Sequence, residues 1–201
     1  MSKRGIVNDD RARQMLAQEA ARIVCEQGIQ DYRLAKMKAA ERLGMRALGA
    51  LPGNAEIERA VSEHLALFGR ESHSDLIQHL RSAAVSAMEM LTGFSPRLVG
   101  PVLHGTAGES SAVNLHVFAD TPEQVASVLD EALIAYKPFE RRLKSSRQHI
   151  TSYAAFRFDH KDAMIEATVF PVDGIRQAPI SPIDGKPMRR AGVNAVYGLL
   201  E

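Results

Sequence analysis

The chain of 201 residues has no tryptophan, a single cysteine and few aromatic residues of any kind. Because Cys25 stands alone, an internal disulfide is excluded, and its apolar helical surroundings indicate a small buried hydrophobe in a reducing cytoplasm. No run of about 18 apolar residues occurs, so no transmembrane helix is expected. Residues 1–10 are polar and lack the apolar segment of a secretory signal. We therefore expect a cytoplasmic protein without a membrane partner.

The sequence also has no large excess of charge of one sign and none of the common catalytic motifs. Lysine and arginine number 25 against 24 aspartate and glutamate, which leaves a formal net charge of +1. The chain is therefore no polycation, and any contact with nucleic acid must use a local basic patch. Walker A, Rossmann, HExxH and Gly-x-Ser-x-Gly motifs are all absent. A serine hydrolase is accordingly not expected.

The first half of the sequence has the periodicity and the stop signals of helices. Asp10 and Asp31 are predicted N-caps of the first two helices, with glycines following as C-terminal stops. A turn at 51–54 precedes a third helix. A fourth helix with a regular apolar face ends before Gly93. We interpret residues 1–94 as a helical region.

The hydrophobic period then changes from that of a helix to that of strands. Segments 97–103 and 113–118 are strand candidates, and the second alternates apolar with polar residues. Thr121 begins a helix, since Pro122 suits its first turn and Gln124 completes a capping box. Three further strand candidates follow, at 139–145, 150–159 and 163–170.

The order of these elements predicts an α+β fold. A helical N-terminal region precedes a mixed β-sheet with helices on one face, which is expected over residues 95–175. The remainder, 176–201, is expected to be a surface tail that ends in a short helix.

The segment 102–118 carries the residues with the clearest chemical meaning. Gly105 and Thr106 follow the first strand candidate; glycine lets a backbone approach a ligand, and a neighbouring hydroxyl can donate to phosphate. Asn114 and His116 are two positions apart on the next strand, so they project side by side. With carboxylates at those positions, the geometry would hold two divalent cations for phosphoryl transfer.

This pattern resembles the nucleotidyltransferase superfamily, which has the DNA polymerase β-like fold. In that family an apolar strand leads into Gly-Ser or Gly-Thr, a polar loop follows, and the next strand carries two carboxylates at alternate positions. Asn114 and His116 occupy those two positions here, and Glu166 matches the third carboxylate, which comes from a later strand. The resemblance covers about residues 95 to 171 and is to a degenerate bacterial branch.

The resemblance implies a former metal site and a phosphate site. Asn114, His116 and Glu166 stand in the catalytic metal-binding positions. The implied phosphate-binding residues are Gly105, Thr106 and Ser110. A divalent metal, Mg²⁺ or Mn²⁺, with a nucleotide is the cofactor set that the family implies. Here His116 and Glu166 are the candidate metal ligands, and an imidazole favours Zn²⁺, Mn²⁺ or Fe²⁺ over Mg²⁺.

Three functions are compatible with these residues. The first is a pseudoenzyme with a nucleotidyltransferase-like fold that binds a nucleotide or RNA. The second is an active nucleotidyltransferase that uses a metal other than Mg²⁺. The third is a regulator that binds DNA or a protein through its N-terminal helices, and the basic segment 33–46 is compatible with a helix-turn-helix or with a plain helical hairpin.

A second basic group has aromatic residues nearby in sequence. Arg141, Arg142 and Lys144 lie on and after one strand candidate, and cations among aromatic rings suit phosphate and base contacts. Each site residue also has a purely structural interpretation. Asn114 and His116 are also compatible with a solvated sheet face that has no further role, and Glu166 is equally typical of an edge strand whose charge prevents aggregation.

Overall fold

The computed structural model describes residues 3–27, 29, 31–44, 51–68, 70–146 and 149–200. It has the mixed α+β architecture that the sequence predicts, with N-terminal helices before a five-stranded sheet. The chain divides into two compact units. Among the described residues, no helix combines the length and the apolar character needed to cross a membrane.

The first unit comprises Met1–Ser74 with two short segments, Gly108–Ser110 and Pro182–Asp184. Its helices are α1 (Lys3–Gln27), α2 (Tyr32–Arg42) and α3 (Asn54–Phe68). α1 begins well before the predicted cap at Asp10. Asp31 does cap α2, and its carboxylate accepts from the backbone N–H of Arg33 at 2.8 Å.

The core of the first unit is aliphatic and small. Leu16, Ala20 and Ile23 of α1 pack with Ile57 and Val61 of α3, and all five are buried. Cys25 lies partly buried against this core. Burial raises the pKa of the Cys25 thiol to about 11, so the thiolate nucleophile is scarce at neutral pH.

Helix α4 (Arg70–Met90) belongs mainly to the second unit, which begins at Asp75. Its apolar face, which includes Ile77, Ala84 and Met88, is buried in the same core as the sheet. The two compact units therefore divide within α4, because most of this helix shares the core of the sheet. The predicted domain boundary of 94–95 lies beyond the end of this helix and stays a prediction.

The sheet has the strand order β1-β2-β5-β4-β3. Its strands are β1 (Arg97–Val99), β2 (Val113–Phe118), β3 (Tyr136–Lys144), β4 (Ile150–His160) and β5 (Ala163–Phe170). β2 and β5 run parallel, and the other neighbouring pairs are antiparallel. The remaining helices are α5 (Pro101–His104), α6 (Pro122–Glu131) and α7 (Val193–Tyr197).

The first strand is shorter than the predicted segment 97–103. β1 ends at Val99, because Gly100 adopts φ 74° and ψ −154°, a conformation essentially restricted to glycine. Pro101 then begins α5, where its missing N–H costs nothing. The capping box of α6 is formed as predicted, and Gln124 accepts from the backbone N–H of Thr121 at 3.4 Å.

The two faces of the sheet differ in chemistry. Val113, Leu115 and Val117 on β2 face the core that the helices cover, together with Ile165 of β5. The residues between them point to the opposite face, which we call the open face of the sheet. That face carries the polar side chains of the candidate site.

Glu166 does not lie on an edge strand. β5 is the middle strand, hydrogen-bonded to β2 on one side and β4 on the other. The interpretation of Glu166 as a charge that protects a sheet edge is therefore wrong.

The segment after β5 returns along the sheet. A 3₁₀ turn at Val172–Arg176 is followed by a bridge between Ile180 and Lys144 and by another between Ala191 and Leu98. The segment thus contacts β3 and then β1, which are the two outer strands. α7 follows and is shorter than the predicted helix over 193–200.

Candidate functional site

Strand register brings distant residues together on the open face. Asn114 of β2 is the parallel partner of Glu166 on β5, and Glu166 is the antiparallel partner of Arg157 on β4. Arg141 of β3 reaches the same place across β4. The residue between them on β4 is Ala155, whose small side chain leaves room for a guanidinium. Four strands therefore contribute to one polar group.

Glu166 is held by two arginines. Arg157 donates from Nε and Nη2 to Oε1 at 2.9 and 2.6 Å. Arg141 donates from Nη2 to the other oxygen, Oε2, and from Nη1 to the carbonyl oxygen of Asn114 at 2.9 Å. Glu166 is only 7% exposed, so this pairing compensates the burial of its charge.

His116 has a guanidinium neighbour of its own. Arg190 donates from Nε to Nδ1 of His116 at 3.1 Å, so the neutral ring carries its proton on Nε2. Burial, and then the charges of Arg190 and Arg141, lower the pKa of His116 to about 3. The imidazole is therefore uncharged at neutral pH. We call Asn114, His116, Arg141, Arg157, Glu166 and Arg190 the arginine cluster.

Aromatic rings line the arginine cluster. The guanidiniums of Arg141 and Arg157 lie 5.4 and 5.3 Å from the ring centre of Phe139. Arg190 lies 5.0 Å from the ring centres of both Phe118 and Phe170. These distances are within the range of cation–π attraction, which holds the guanidiniums in fixed positions.

Arg190 is the least compensated charge in the cluster. Nη1 donates to the carbonyl oxygens of Gly174 and Ile175 at 2.9 and 3.3 Å. Nη2 is buried and has no hydrogen-bond partner among the residues that the structure describes. Burial, and then the charge of Arg97, lower the pKa of Arg190. A guanidinium in these surroundings favours an anion nearby.

The donor set does not fit the divalent metal that the resemblance implies. Both oxygens of Glu166 and the carbonyl oxygen of Asn114 already accept from guanidiniums. The Nδ1 atom of His116 accepts from Arg190 as well. A cation there would face the positive charges of these arginines. Within the described ranges, no group of three His, Cys, Asp or Glu residues is placed to hold a metal ion.

The predicted phosphate residues lie at the end of a helix and not at its beginning. Gly105 follows the last turn of α5 with φ 78°, and the position of its absent Cβ is 3.6 Å from Nη2 of Arg81. Arg81 in turn donates to the carbonyl of Val102 at 3.3 Å. The conformation of Gly105 is thus explained by the helix C-cap. Thr106 donates its N–H to Pro101, closing the same turn.

The glycine that lies beside Asn114 is Gly100 and not the predicted Gly105. A Cβ at Gly100 would lie 3.6 Å from Nδ2 of Asn114. Ser110, the third predicted phosphate residue, lies in the exposed loop between α5 and β2, within the residues assigned to the first unit. The phosphate role of Gly105, Thr106 and Ser110 stays a prediction.

The predicted nucleic-acid-binding residues are split between the two faces. Arg141 pairs with Tyr153 and points to the open face, whereas Arg142 pairs with Ser152 and points to the opposite face. Lys144 lies on the same face as Arg142. Strand alternation thus brings only Arg141 into the arginine cluster.

Sequence reasoning missed two arginines of the cluster. The sequence pattern could have indicated Arg157, because Tyr153, Ala155 and Arg157 are at alternate positions of β4 and therefore share one face of the sheet. Arg190 had none, because it comes from an irregular segment that strand periodicity does not describe. Its position depends on the bridge between Ala191 and Leu98.

Three basic residues of α2 form contacts within the first unit. Lys36 donates to Asn54 at 2.8 Å, and Lys38 donates to Gln27 at 2.9 Å. Arg42 forms an ion pair with Glu19 at 3.1 Å. Arg46 and Gly28 lie outside the described residues. These contacts are those of a helical hairpin and give no specific support to nucleic-acid binding by α2.

Comparisons with protein-family models, with curated proteins and with solved structures gave no match for this chain. The resemblance to nucleotidyltransferases therefore stays a prediction, and the function has to be argued from the chemistry of the site.

Proposed function

We propose that this protein binds the phosphates of a nucleotide or of an RNA strand at the arginine cluster, without a metal ion at the positions of the former metal site. The observation that carries the proposal is Arg141, whose guanidinium joins Asn114 to Glu166. With Arg157 and Arg190, the cluster holds three guanidiniums against one carboxylate. A local surplus of positive charge beside aromatic rings suits contacts to phosphates and bases.

Glu166 serves in this proposal as the counter-ion that orients two arginines before a ligand arrives. Phosphate oxygens accept the same forked hydrogen bonds from guanidinium as a carboxylate does. The side chain of Arg157 is 51% exposed and that of Arg141 is 27% exposed. A ligand can therefore reach both cations while Glu166 stays buried beneath them.

Titration calorimetry in the presence of EDTA tests the proposal. Tripolyphosphate, the four nucleoside triphosphates and a single-stranded RNA oligomer are each titrated into the protein. We expect binding without metal that weakens as salt concentration rises, because the attraction is between charges. Arg157→Ala should weaken binding by about tenfold, the value of a charged hydrogen bond.

Arg142→Ala is the matched control, since Arg142 neighbours Arg141 in sequence but points to the opposite face. It should leave binding unchanged. An equal loss in Arg142→Ala and Arg157→Ala would place the anion elsewhere, and no binding of any phosphate ligand would overturn the proposal.

Glu166→Gln separates the proposal from metal-dependent catalysis. If arginines bind the ligand, removing the only carboxylate of the cluster should strengthen binding of tripolyphosphate. If Glu166 is a metal ligand, the same variant should abolish metal-dependent nucleotide binding. Release of pyrophosphate by the wild type with Mn²⁺ or Zn²⁺, lost in Glu166→Gln, would support the active transferase instead.

A further inference from the structure

A cavity of about 340 Å³ lies within the second unit. It is next to His116 of the arginine cluster, whose ring contacts Phe170. One wall is made by Tyr153 of β4 and Phe170 at the end of β5, whose ring centres are 4.3 Å apart. Most of the remaining lining comes from the segment that follows β5, including Pro171, Gln177 and Pro179. The cavity is therefore lined by two rings and an irregular segment.

The lining has the chemistry of a site for a flat heteroaromatic ring. The partly buried ring of Tyr153 offers an aromatic face for stacking, and the buried ring of Phe170 packs against it. Gln177 and Asp173 offer an amide and a carboxylate at the rim, and both residues are exposed. Ser145 and Arg176 add two further polar side chains to the lining. The volume is at the small end of the range of small-molecule sites.

The cavity lies next to the arginine cluster, because two of its lining rings neighbour residues of the cluster. Tyr153 is the direct cross-strand partner of Arg141, and paired residues on neighbouring strands have adjacent side chains. The ring centre of Phe170 lies 4.5 Å from that of His116. Phe170 also neighbours Phe118, and the guanidinium of Arg190 lies over the Phe118 ring. A ring bound in the cavity would thus have a guanidinium one residue pair away.

The position of the rings favours a free nucleotide over an RNA strand. Sheets that bind RNA present aromatic rings on an open surface, so that successive bases can stack. Phe170 is only 2% exposed, and Tyr153 is partly buried. Both rings line one cavity with the volume for a single ring system.

We propose that this cavity receives the base of a single free nucleotide whose phosphates lie on Arg141 and Arg157. This inference rests on the proposed function, because it assigns the base of the ligand whose phosphates the arginine cluster binds. It adds that recognition extends beyond charge, and that the segment after β5 contributes to it through Gln177 and its neighbours.

Calorimetry of the full chain in EDTA compares nucleoside triphosphates with tripolyphosphate. We expect at least one nucleotide to bind about tenfold more tightly than tripolyphosphate, which is the value of one stacked base. Tyr153→Ala should remove this difference and leave the affinity for tripolyphosphate unchanged. Tyr153→Phe keeps the ring and should behave as the wild type does.

A second variant keeps the inference testable if Tyr153→Ala does not fold, as judged by circular dichroism. Ala178→Phe adds a ring on the segment side of the cavity and leaves the sheet intact. It should abolish the preference for nucleotide over tripolyphosphate without changing the affinity for tripolyphosphate.

The remaining outcomes separate this inference from the proposed function. Nucleotides that bind no more tightly than tripolyphosphate would overturn the inference and leave the proposed function standing. Failure of every phosphate ligand to bind would overturn both. An RNA oligomer that binds more tightly than any nucleotide, with the same dependence on Tyr153, would overturn the assignment to a free nucleotide.

Discussion

Glu166 compensates the charge of two arginines at once, and this pairing decides what the residue can do. It accepts three hydrogen bonds from Arg141 and Arg157 and is almost fully buried. A carboxylate committed in this way orients cations and is not available to a metal ion. The same pairing makes the residue important for stability, because removing it leaves two neighbouring guanidiniums without their counter-ion.

Glu166→Gln should lower the free energy of unfolding by about 2 kcal/mol, the order of a charged hydrogen-bond set whose cations are partly hydrated. Urea denaturation followed by circular dichroism measures the change. Glu140→Gln is the control, because Glu140 is exposed on β3 and accepts a hydrogen bond from the hydroxyl of Ser152 at 3.0 Å; a change within about 0.5 kcal/mol is expected there. Equal effects of the two substitutions would argue against a buried network.

His116 makes stability depend on pH. Its pKa in the folded protein is about 3, lowered from 6.5 by burial and by the charges of Arg190 and Arg141. Between these two values the unfolded chain binds a proton that the folded chain does not. Stability contributed by the neutral ring is therefore complete above pH 6.5 and is lost as pH falls towards 3.

From pH 7 to pH 5 this one group should remove about 2 kcal/mol of stability, at about 1.4 kcal/mol per pH unit below its unfolded pKa. His116→Gln should reduce the pH dependence by that amount. Urea unfolding of both proteins at the two pH values measures it. The same slope in wild type and variant would show that His116 is not the titrating group.

At the scale of elements, the turn between β1 and α5 sets the position of Asn114. Gly100 ends the strand in a conformation with positive φ, and its backbone passes close to Asn114. The short helix α5 then ends at Gly105, also with positive φ. Two glycines thus shape a segment that the apolar run 97–103 suggested was a single strand.

Gly100→Ala should destabilise the protein by about 1–3 kcal/mol, because a side chain is strained in this backbone region. Gly93→Ala is the matched control, since no atom lies within 4 Å of a Cβ placed there. We expect it to change stability by less than about 0.5 kcal/mol. The melting temperatures of Gly100→Ala and Gly93→Ala, measured by thermal unfolding, test this prediction. Equal melting temperatures would mean that the turn at Gly100 tolerates a side chain.

At the scale of the whole molecule, two separate cores stabilise two units. The first core contains only helical residues of the N-terminal part, and the second joins α4 to the sheet. The whole arginine cluster and the cavity beside it belong to the second unit. The local surplus of positive charge on which the proposed anion binding depends therefore lies in one unit of a near-neutral chain.

The fragment 75–201 should fold without the first unit and bind tripolyphosphate as the full chain does. Asp75 at its start can supply the cap of the shortened α4. Cooperative urea unfolding and calorimetry of the fragment are the measurements. A fragment that folds but does not bind would show that the first unit contributes to the site.

The sequence by itself determined the α+β class, the faces of β2 and the order of most elements, but not the short helix α5. Apolar periodicity and caps such as Asp31 and Thr121 depend on neighbours within a few residues, so they are visible without a fold. It also identified Asn114, His116, Arg141 and Glu166, because their spacing or resemblance marked them.

Tertiary structure alone decided how those residues are used. Whether Glu166 meets a metal or a guanidinium depends on which strands flank β5, and strand order is a long-range property that local patterns do not encode. Arg141 and Arg142 are neighbours in sequence, yet the pleat sends them to opposite faces. Arg190 enters the cluster through an irregular segment, whose path is determined by pairing with β1 and not by its own composition.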